Sequence, residues 1–431
     1  MGSYLITTTP AHGHVAPLLT IARHLIARRH RVRFLTGAKY ADAVTAAGAE
    51  FLPIPPESDI DLDRVGELLP ERAGLAGPAA IRFDLRNIFF KPARGQYDAL
   101  LTAIQAEPTD AVLTEGLYLG AALLALRPRA ERPPIVALGI FPLGAPSRDT
   151  APFGVGMTPM AGWIGRLRNR VMTTIADKAI FGPVLEEADA LAHEIVGRSF
   201  DGSFMTWNVR ADALVQFTVP SFEYPRSDLP STVTFAGPLP WMPPSAVEFP
   251  DWWDELDGSR PIVHVTQGTV ANTDFSSLVR PAIDGLADRD DLLVIVTTGG
   301  RPVDTLGPVP ANVRVGSYLP YRELFPKLDV LVTNGGYGGV QQALAHGVPL
   351  VVAGQTEDKI EVTARVGWSG AGINLKTNKA DAAKVARAVD TVLRDPSYRA
   401  AAQRIGADMR KTDALGTLDD VLERVVALPT A

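Results

Sequence analysis

At 431 residues the chain is too long for one ordinary hydrophobic core, and it predicts two domains of roughly 200 residues each. Hydrophobic residues at 46% and charged residues at 21% are the balance of a soluble globular protein, and a net charge of -6 argues against nucleic acid as the main partner. The absence of cysteine excludes disulfides, thiolate metal sites and thiol catalysis.

Met1-Gly2-Ser3 leads straight into an apolar run, with no basic n-region and no cleavage site. No signal peptide is therefore expected, no apolar run is long enough to span a membrane, and the expected location is cytoplasmic. Tyr4 to Thr8 reads as a strand. Thr9-Pro10-Ala11-His12-Gly13-His14-Val15-Ala16-Pro17 reads as a loop, and Leu18, Leu19, Ile21, Ala22, Leu25 and Ile26 mark the helix after it. Val32 to Thr36 is the next strand, so the chain opens with a βαβ unit, and such units continue to about Ile140. Residues 59–77 are charged and Gly-rich and read as loop. Phe83, Phe89 and Phe90 fall at partly helical spacing. Ala111 to Leu113 is a strand, followed by Thr114-Glu115-Gly116. Residues 141–160 are rich in Pro, Gly and Met, and residues 163–195 read as one or two helices. Arg166, Arg168 and Arg170 read as a solvated basic face.

Residues 219–250 carry Pro220, Pro225, Pro230, Pro238, Pro240, Pro243, Pro244 and Pro250. That density cannot sustain a helix and predicts a stiff interdomain linker, with Val233 to Ala236 as a candidate strand inside it. The opening pattern then returns: Ile262 to Thr266 as strand, Gln267-Gly268-Thr269, a helix from about Phe275, and a strand at Leu292 to Val296. Tyr318-Leu319-Pro320-Tyr321 comes next. Val330 to Thr333 is a strand running into Asn334-Gly335-Gly336-Tyr337-Gly338-Gly339 and a short helix. Gly347-Val348-Pro349 stops that helix, Leu350 to Ala353 is a strand, and Glu357-Asp358-Lys359 follows. The glycines leave room at a helix N-terminus, whose free N–H groups suit a phosphate. The acidic pair lies at the mouth of the next strand, where parallel sheets bind ligands. Phosphate at one end and hydroxyls at the other describe a nucleotide sugar. Three amphipathic helices end the chain.

This stretch resembles the donor signature of the UDP-glycosyltransferase superfamily, whose members read H-x-G-G-x-G-T, Glu-Ala-Leu, Gly-Val-Pro and Asp-Gln. The chain keeps Gly335-Gly336, Gly338, Ala343-Leu344, Gly347-Val348-Pro349 and Asp358. It departs at Asn334 for His, Gly339 for Thr, Gln342 for Glu and Lys359 for Gln. Gly13-His14-Val15-Ala16-Pro17 is similar to the Gly-His-x-x-Pro of many members.

The resemblance implies the α/β GT-B fold, with two Rossmann-like parallel-sheet domains facing a central cleft. Residues 1–218 would bind the acceptor, 219–250 link, 251–410 bind the nucleotide sugar, and 411–431 form a helix crossing back to the first domain. It implies an inverting transfer of a hexose from a UDP-sugar, or a dTDP-sugar, to a hydroxyl of a small hydrophobic natural product. No metal or other cofactor is required on that reading. His14 would be the base, since an imidazole suits proton removal at neutral pH. Glu115 would orient it, standing where the family has Asp. Thr269, Asn334, Gly335, Gly336, Gly338 and Gly339 would hold the diphosphate, Tyr318 and Leu319 the base, Gln342 the ribose, and Asp358 and Lys359 the sugar or phosphate. Phe83, Phe90, Phe141, Met157 and Met160 are candidates for the acceptor pocket. For each of these five, ordinary core packing is the competing reading. A monomer or homodimer is expected, with no nucleic-acid partner.

Two other classes remain open at this stage. Gly336 to Asp358 has about the spacing of a Rossmann oxidoreductase, although Gln341 stands at the third glycine of that pattern. The altered donor residues also fit a non-catalytic homologue that binds a small molecule or activates a partner enzyme.

Overall fold

The computed structural model describes residues 1–75, 77–200, 204–240, 248–269, 272 and 274–427. The apolar runs become two parallel sheets. The first contains β1 (Ser3–Thr7), β2 (Arg31–Thr36), β3 (Glu50–Pro53), β4 (Ala111–Glu115), β5 (Ile135–Gly139), β6 (Ala213–Gln216) and β7 (Val233–Phe235). Its spatial order is β3-β2-β1-β4-β5-β6-β7, and every pair is parallel. The second contains β8 (Ile262–Thr266), β9 (Leu293–Thr297), β10 (Val313–Gly316), β11 (Val330–Thr333), β12 (Leu350–Val352) and β13 (Gly372–Asn374). Its order is β10-β9-β8-β11-β12-β13, again parallel throughout.

Alternation along the strands builds a core on each face of each sheet. Leu5, Leu35, Val112 and Ala137 face one side of the first sheet, and Ile6, Phe34, Leu113 and Val136 face the other. In the second sheet Ile262, Leu293 and Leu331 oppose Val263, Val294 and Val332. Helices cover all four faces, which is why these strands read as continuous apolar runs.

Inside the expected linker at 219–250 the candidate strand forms. Val233–Phe235 pairs with β6, so the first sheet reaches well past residue 218. β7 is an edge strand, and the nearest prolines, Pro230 and Pro238, lie outside it. Residues 241–247, with Pro243 and Pro244, lie outside the described residues, as do 428–431 of the last segment. The stretch 59–77, expected as loop, folds in part into short helical turns at Leu62–Arg64, Val65–Leu68 and Pro70–Gly74.

The helix Ala414–Ala427 leaves the second half and packs on the first. Leu418, Val421, Leu422 and Val425 join the core of Ile6, Leu18 and Phe34. Asp419 accepts from His24 Nε2 at 2.9 Å and from Arg28 Nε at 2.8 Å. Among the described residues no helix is long and apolar enough to cross a membrane.

Candidate active site

Both sheets change direction at a crevice. The chain winds outward from β1 to β3 and then returns to β4, so β1 and β4 flank a switch point; β8 and β11 do the same in the second sheet. Ligands bind beyond the carboxyl ends of strands at such points.

The register Thr7↔Thr114 sets the ends of β1 and β4 side by side, and the Thr7 hydroxyl donates to Thr114 Oγ1 at 2.8 Å. Beyond Thr7 the helix His12–Ala27 begins earlier than the sequence suggested. His14 therefore sits on its first turn and not in a loop. Pro17 lies inside this helix, where it removes one backbone donor near the end that already has free N–H groups. His12 is exposed at the helix start.

Glu115 is the last residue of β4 and is fully buried. Its Oε1 accepts the Thr9 N–H at 3.0 Å and its Oε2 accepts the Leu117 N–H at 2.6 Å. The same Oε2 lies 3.3 Å from His14 Nδ1, an ion-pair separation just beyond the hydrogen-bond range. Burial alone would raise the Glu115 pKa, but the imidazole and the two backbone donors hold it below its ordinary value. Burial works to lower the His14 pKa, but the Glu115 charge and contact outweigh it and raise it. A carboxylate on Nδ1 leaves Nε2 as the proton-accepting nitrogen.

Phe141 lies next to this pair, its ring centroid 6.1 Å from the imidazole. Gln216 Nε2 fixes it by donating to the Phe141 carbonyl at 2.9 Å. Gly116 packs closely here: a Cβ would lie 3.1 Å from the Phe141 ring and 3.3 Å from Asn208 Nδ2, so either side chain would have to shift by a few tenths of an ångström. Of the five expected acceptor residues, Phe141 is the one whose ring packs near His14 among the described residues. Phe90 is corrected to a core residue. It is buried and packs edge-on against Phe204 at 4.6 Å, because its helix turns that face toward the first sheet. Phe83 and Met157 are half-buried, and Met160 is exposed.

In the second half, Asn334 Nδ2 donates to the Gln267 carbonyl at 2.8 Å and ties the exits of β8 and β11 together. Gln267 Oε1 in turn accepts from the Leu278 and Val279 N–H groups at 3.2 and 3.0 Å. Gly335 turns the chain at φ 87°, and the helix Tyr337–Ala345 starts two residues later. A Cβ at Gly338 or Gly339 would meet nothing within 4 Å, so open space covers the free N–H groups of this helix. Gln342 is half-buried on the same helix, Thr269 is exposed on the turn after β8, Tyr318 is exposed beside Gly300, and Leu319 is buried.

The loop after β12 completes the crevice. Glu357 has a left-handed φ of 55° and pairs with Lys359. Burial pushes the Asp358 pKa up, and the His14 charge opposes that rise. Asp358 is likewise among the charges that raise His14. Burial lowers the Lys359 pKa. Among the described residues no cluster of three or more His, Asp or Glu side chains is placed to hold a metal ion.

Sequence reasoning missed several supports of the site. Trp207 Nε1–H donates to the Gly116 carbonyl at 2.9 Å, and Gln341 Nε2 crosses to the Phe217 carbonyl at 3.0 Å. Tyr118 is buried below Glu115, with its pKa pushed well up by burial. None belongs to a motif, so no local signal marked them.

Residues 281–428 match the family model described as "Erythromycin biosynthesis protein CIII-like, C-terminal domain". The 4'-demethylrebeccamycin synthase of Lentzea aerocolonigenes is 41% identical over 427 residues, covering 98% of this chain and 99% of that protein. UDP-glycosyltransferase 2 of Phaeomoniella chlamydospora is 34% identical, covering 98% of this chain and 95% of its own. Among solved structures, the kitacinnamycin glycosyltransferase superposes with a TM-score of 0.74 at 22% identity over 99% of both chains. The calicheamicin glycosyltransferase does so at 0.71 and 21% over all of both. Two facing Rossmann-like domains, the crevice at their switch points and relatives this similar over nearly the full length agree: the chain belongs to the UDP-glycosyltransferase superfamily and is a glycosyltransferase of GT-B fold.

Proposed function

We propose that the chain is an inverting O-glycosyltransferase that moves a hexose from a UDP-sugar, or a dTDP-sugar, to a hydroxyl of a small apolar natural product. The observation that carries this reading is the His14–Glu115 pair, 3.3 Å apart at the adjacent exits of β1 and β4. The names of the relatives, a 4'-demethylrebeccamycin synthase and several UDP-glucosyltransferases, support a natural-product acceptor and a UDP donor. The exposed apolar side chains Met160, Trp163, Ile164 and Leu167 in the acceptor half agree with an apolar acceptor.

On this reading the acceptor hydroxyl gives its proton to His14 Nε2 as its oxygen attacks the anomeric carbon. The bond from that carbon to the diphosphate breaks in the same step, with inversion. Glu115 stabilises the imidazolium that forms. The departing diphosphate keeps the electron pair, and its charge is met by the N–H groups at the start of helix Tyr337–Ala345. Asp358 accepts hydrogen bonds from sugar hydroxyls.

The direct test is a mass-shift screen of UDP-glucose, UDP-galactose, UDP-glucuronate and dTDP-sugars against phenolic and macrolide acceptors. A product heavier by one sugar residue is expected, together with UDP release. UDP at 100 times its Kd should stabilise the fold by about 2.7 kcal/mol, whereas NAD and NADP should leave the melting temperature unmoved. Binding of UDP without turnover on any acceptor would favour a non-catalytic homologue.

The pH profile tests the pair. The base must be neutral to act, so kcat/KM should fall as pH drops through the raised His14 pKa. Glu115→Gln removes the charge that raises it. The acid limb should then move to lower pH while kcat falls about 10²-fold through loss of the fixed tautomer. A limb that stays in place would detach Glu115 from His14.

A further inference from the structure

A buried chain of ions joins the two halves next to the crevice. Glu361 stands in the first turn of helix Lys359–Ser369, three residues past Asp358. Its Oε1 accepts two backbone N–H groups from the loop after β5, Gly154 at 2.8 Å and Gly156 at 3.0 Å. Its Oε2 accepts from Arg365 Nη1 at 2.8 Å. Arg365 is completely buried and donates through Nε and Nη2 to Glu223 Oε2 at 3.0 and 2.9 Å. Its guanidinium lies 4.2 Å from the centre of the Tyr224 ring. Glu223 Oε1 accepts the Leu143 N–H at 2.9 Å, and Arg226 Nη2 donates to the Leu143 carbonyl at 2.6 Å.

Both ends of the loop 143–156 are thus held. Leu143 is held by the segment between β6 and β7. Gly154 and Gly156 are held by the helix that begins at the donor loop. The glycines have φ of 94° and 62°, which turn their N–H groups onto one carboxylate oxygen. A Cβ at Gly156 would lie 2.6 Å from Ile360 Cγ1, so the loop backbone rests directly on the residue after Lys359. A buried ion pair is weak support for stability as such, since apolar packing of the same volume serves as well. What the carboxylate adds is direction, because two N–H groups and one guanidinium fit it in one arrangement only.

We propose that Glu361 is a positioning residue, which docks the acceptor loop 143–156 on the first turn of the donor-side helix and so sets the acceptor against His14. The proposal rests on the reading of this half as the acceptor side. Among the described residues no hydrogen bond or ion pair joins Glu361 to Asn334–Gly339, so UDP binding there should be little changed by its replacement.

Hydrogen exchange and kinetics of Glu361→Gln test it. Peptides containing Gly154 and Gly156 should exchange at least about tenfold faster than in the wild type. The acceptor KM should rise about tenfold or more, with UDP Kd and donor KM within twofold. Gly156→Ala, which pushes the loop away from Ile360 and leaves Glu361 intact, should give the same split. It also serves if Glu361→Gln fails to fold. Unchanged exchange in the loop, or donor and acceptor KM rising together, would overturn the proposal. A wild-type protein that transfers no sugar from any donor would overturn the proposed function instead, and the exchange comparison would still decide the docking.

Discussion

Replacing His14 with alanine is expected to lower kcat by about 10³-fold and to leave UDP affinity within about twofold. Removal of a general base costs this much when the nucleophile is a neutral hydroxyl, which attacks poorly until its proton is leaving. The nucleotide should not register the change, because its expected cradle belongs to the second sheet while His14 rises from the first. The fold should also tolerate it. The imidazole is one-fifth exposed, and Glu115 keeps the Thr9 and Leu117 N–H groups as partners. Steady-state kinetics and calorimetric titration with UDP measure the two quantities separately. Retention of more than a tenth of the rate would remove His14 from the mechanism. Loss of UDP binding alongside would mean that the substitution acts on structure.

The second large effect concerns stability. Arg365→Ala is expected to cost about 3–5 kcal/mol, because it strands two carboxylates in the interior. Arg365 is fully buried, and Glu223 and Glu361 are nearly so. Burial disfavours the Arg365 charge, yet the two carboxylates outweigh that and hold its pKa above the ordinary value. Without it, Glu223 retains backbone donors and Arg226 at 3.6 Å, and Glu361 retains only the N–H groups of Gly154 and Gly156 among its described partners. For domains of this size the melting temperature should fall by roughly 10 °C. Differential scanning fluorimetry reads this directly. A drop under about 2 °C would mean that water or a rearranged neighbour compensates the pair. Arg365→Lys should recover little, since an ammonium cannot serve Glu223 through two nitrogens and Glu361 through a third.

The turn proposed as the donor end of the crevice could be read from the sequence because it is written in consecutive residues. Asn334 to Gly339 and Glu357 to Lys359 each lie within one turn and one strand exit, so spacing along the chain is spacing in space. His14 was legible for the same reason, although Pro17 suggested a loop where the helix had already begun. The acceptor side was not. Phe83, Phe90 and Phe141 look alike in the sequence, and the structure sends Phe90 into the core and Phe141 to the imidazole. Which face of a helix meets the sheet depends on the packing of neighbours, and residues 59–160 carry no motif to fix it.

The sequence by itself determined two parallel sheets, a histidine at the end of the first strand and a glycine turn at the end of a later one. These follow from alternation, helix stops and turn residues, all of which act over a few positions. Tertiary structure alone decided that the buried Glu115 carboxylate takes the Thr9 and Leu117 N–H groups as donors, and that Val233–Phe235 pairs with β6 as the edge of the first sheet. It alone joined Gly154 to Glu361 across 207 positions and Glu223 to Arg365 across 142. Such pairs are set by sheet register and by how two domains meet, and a charged side chain does not reveal its distant partner until the backbone has placed both.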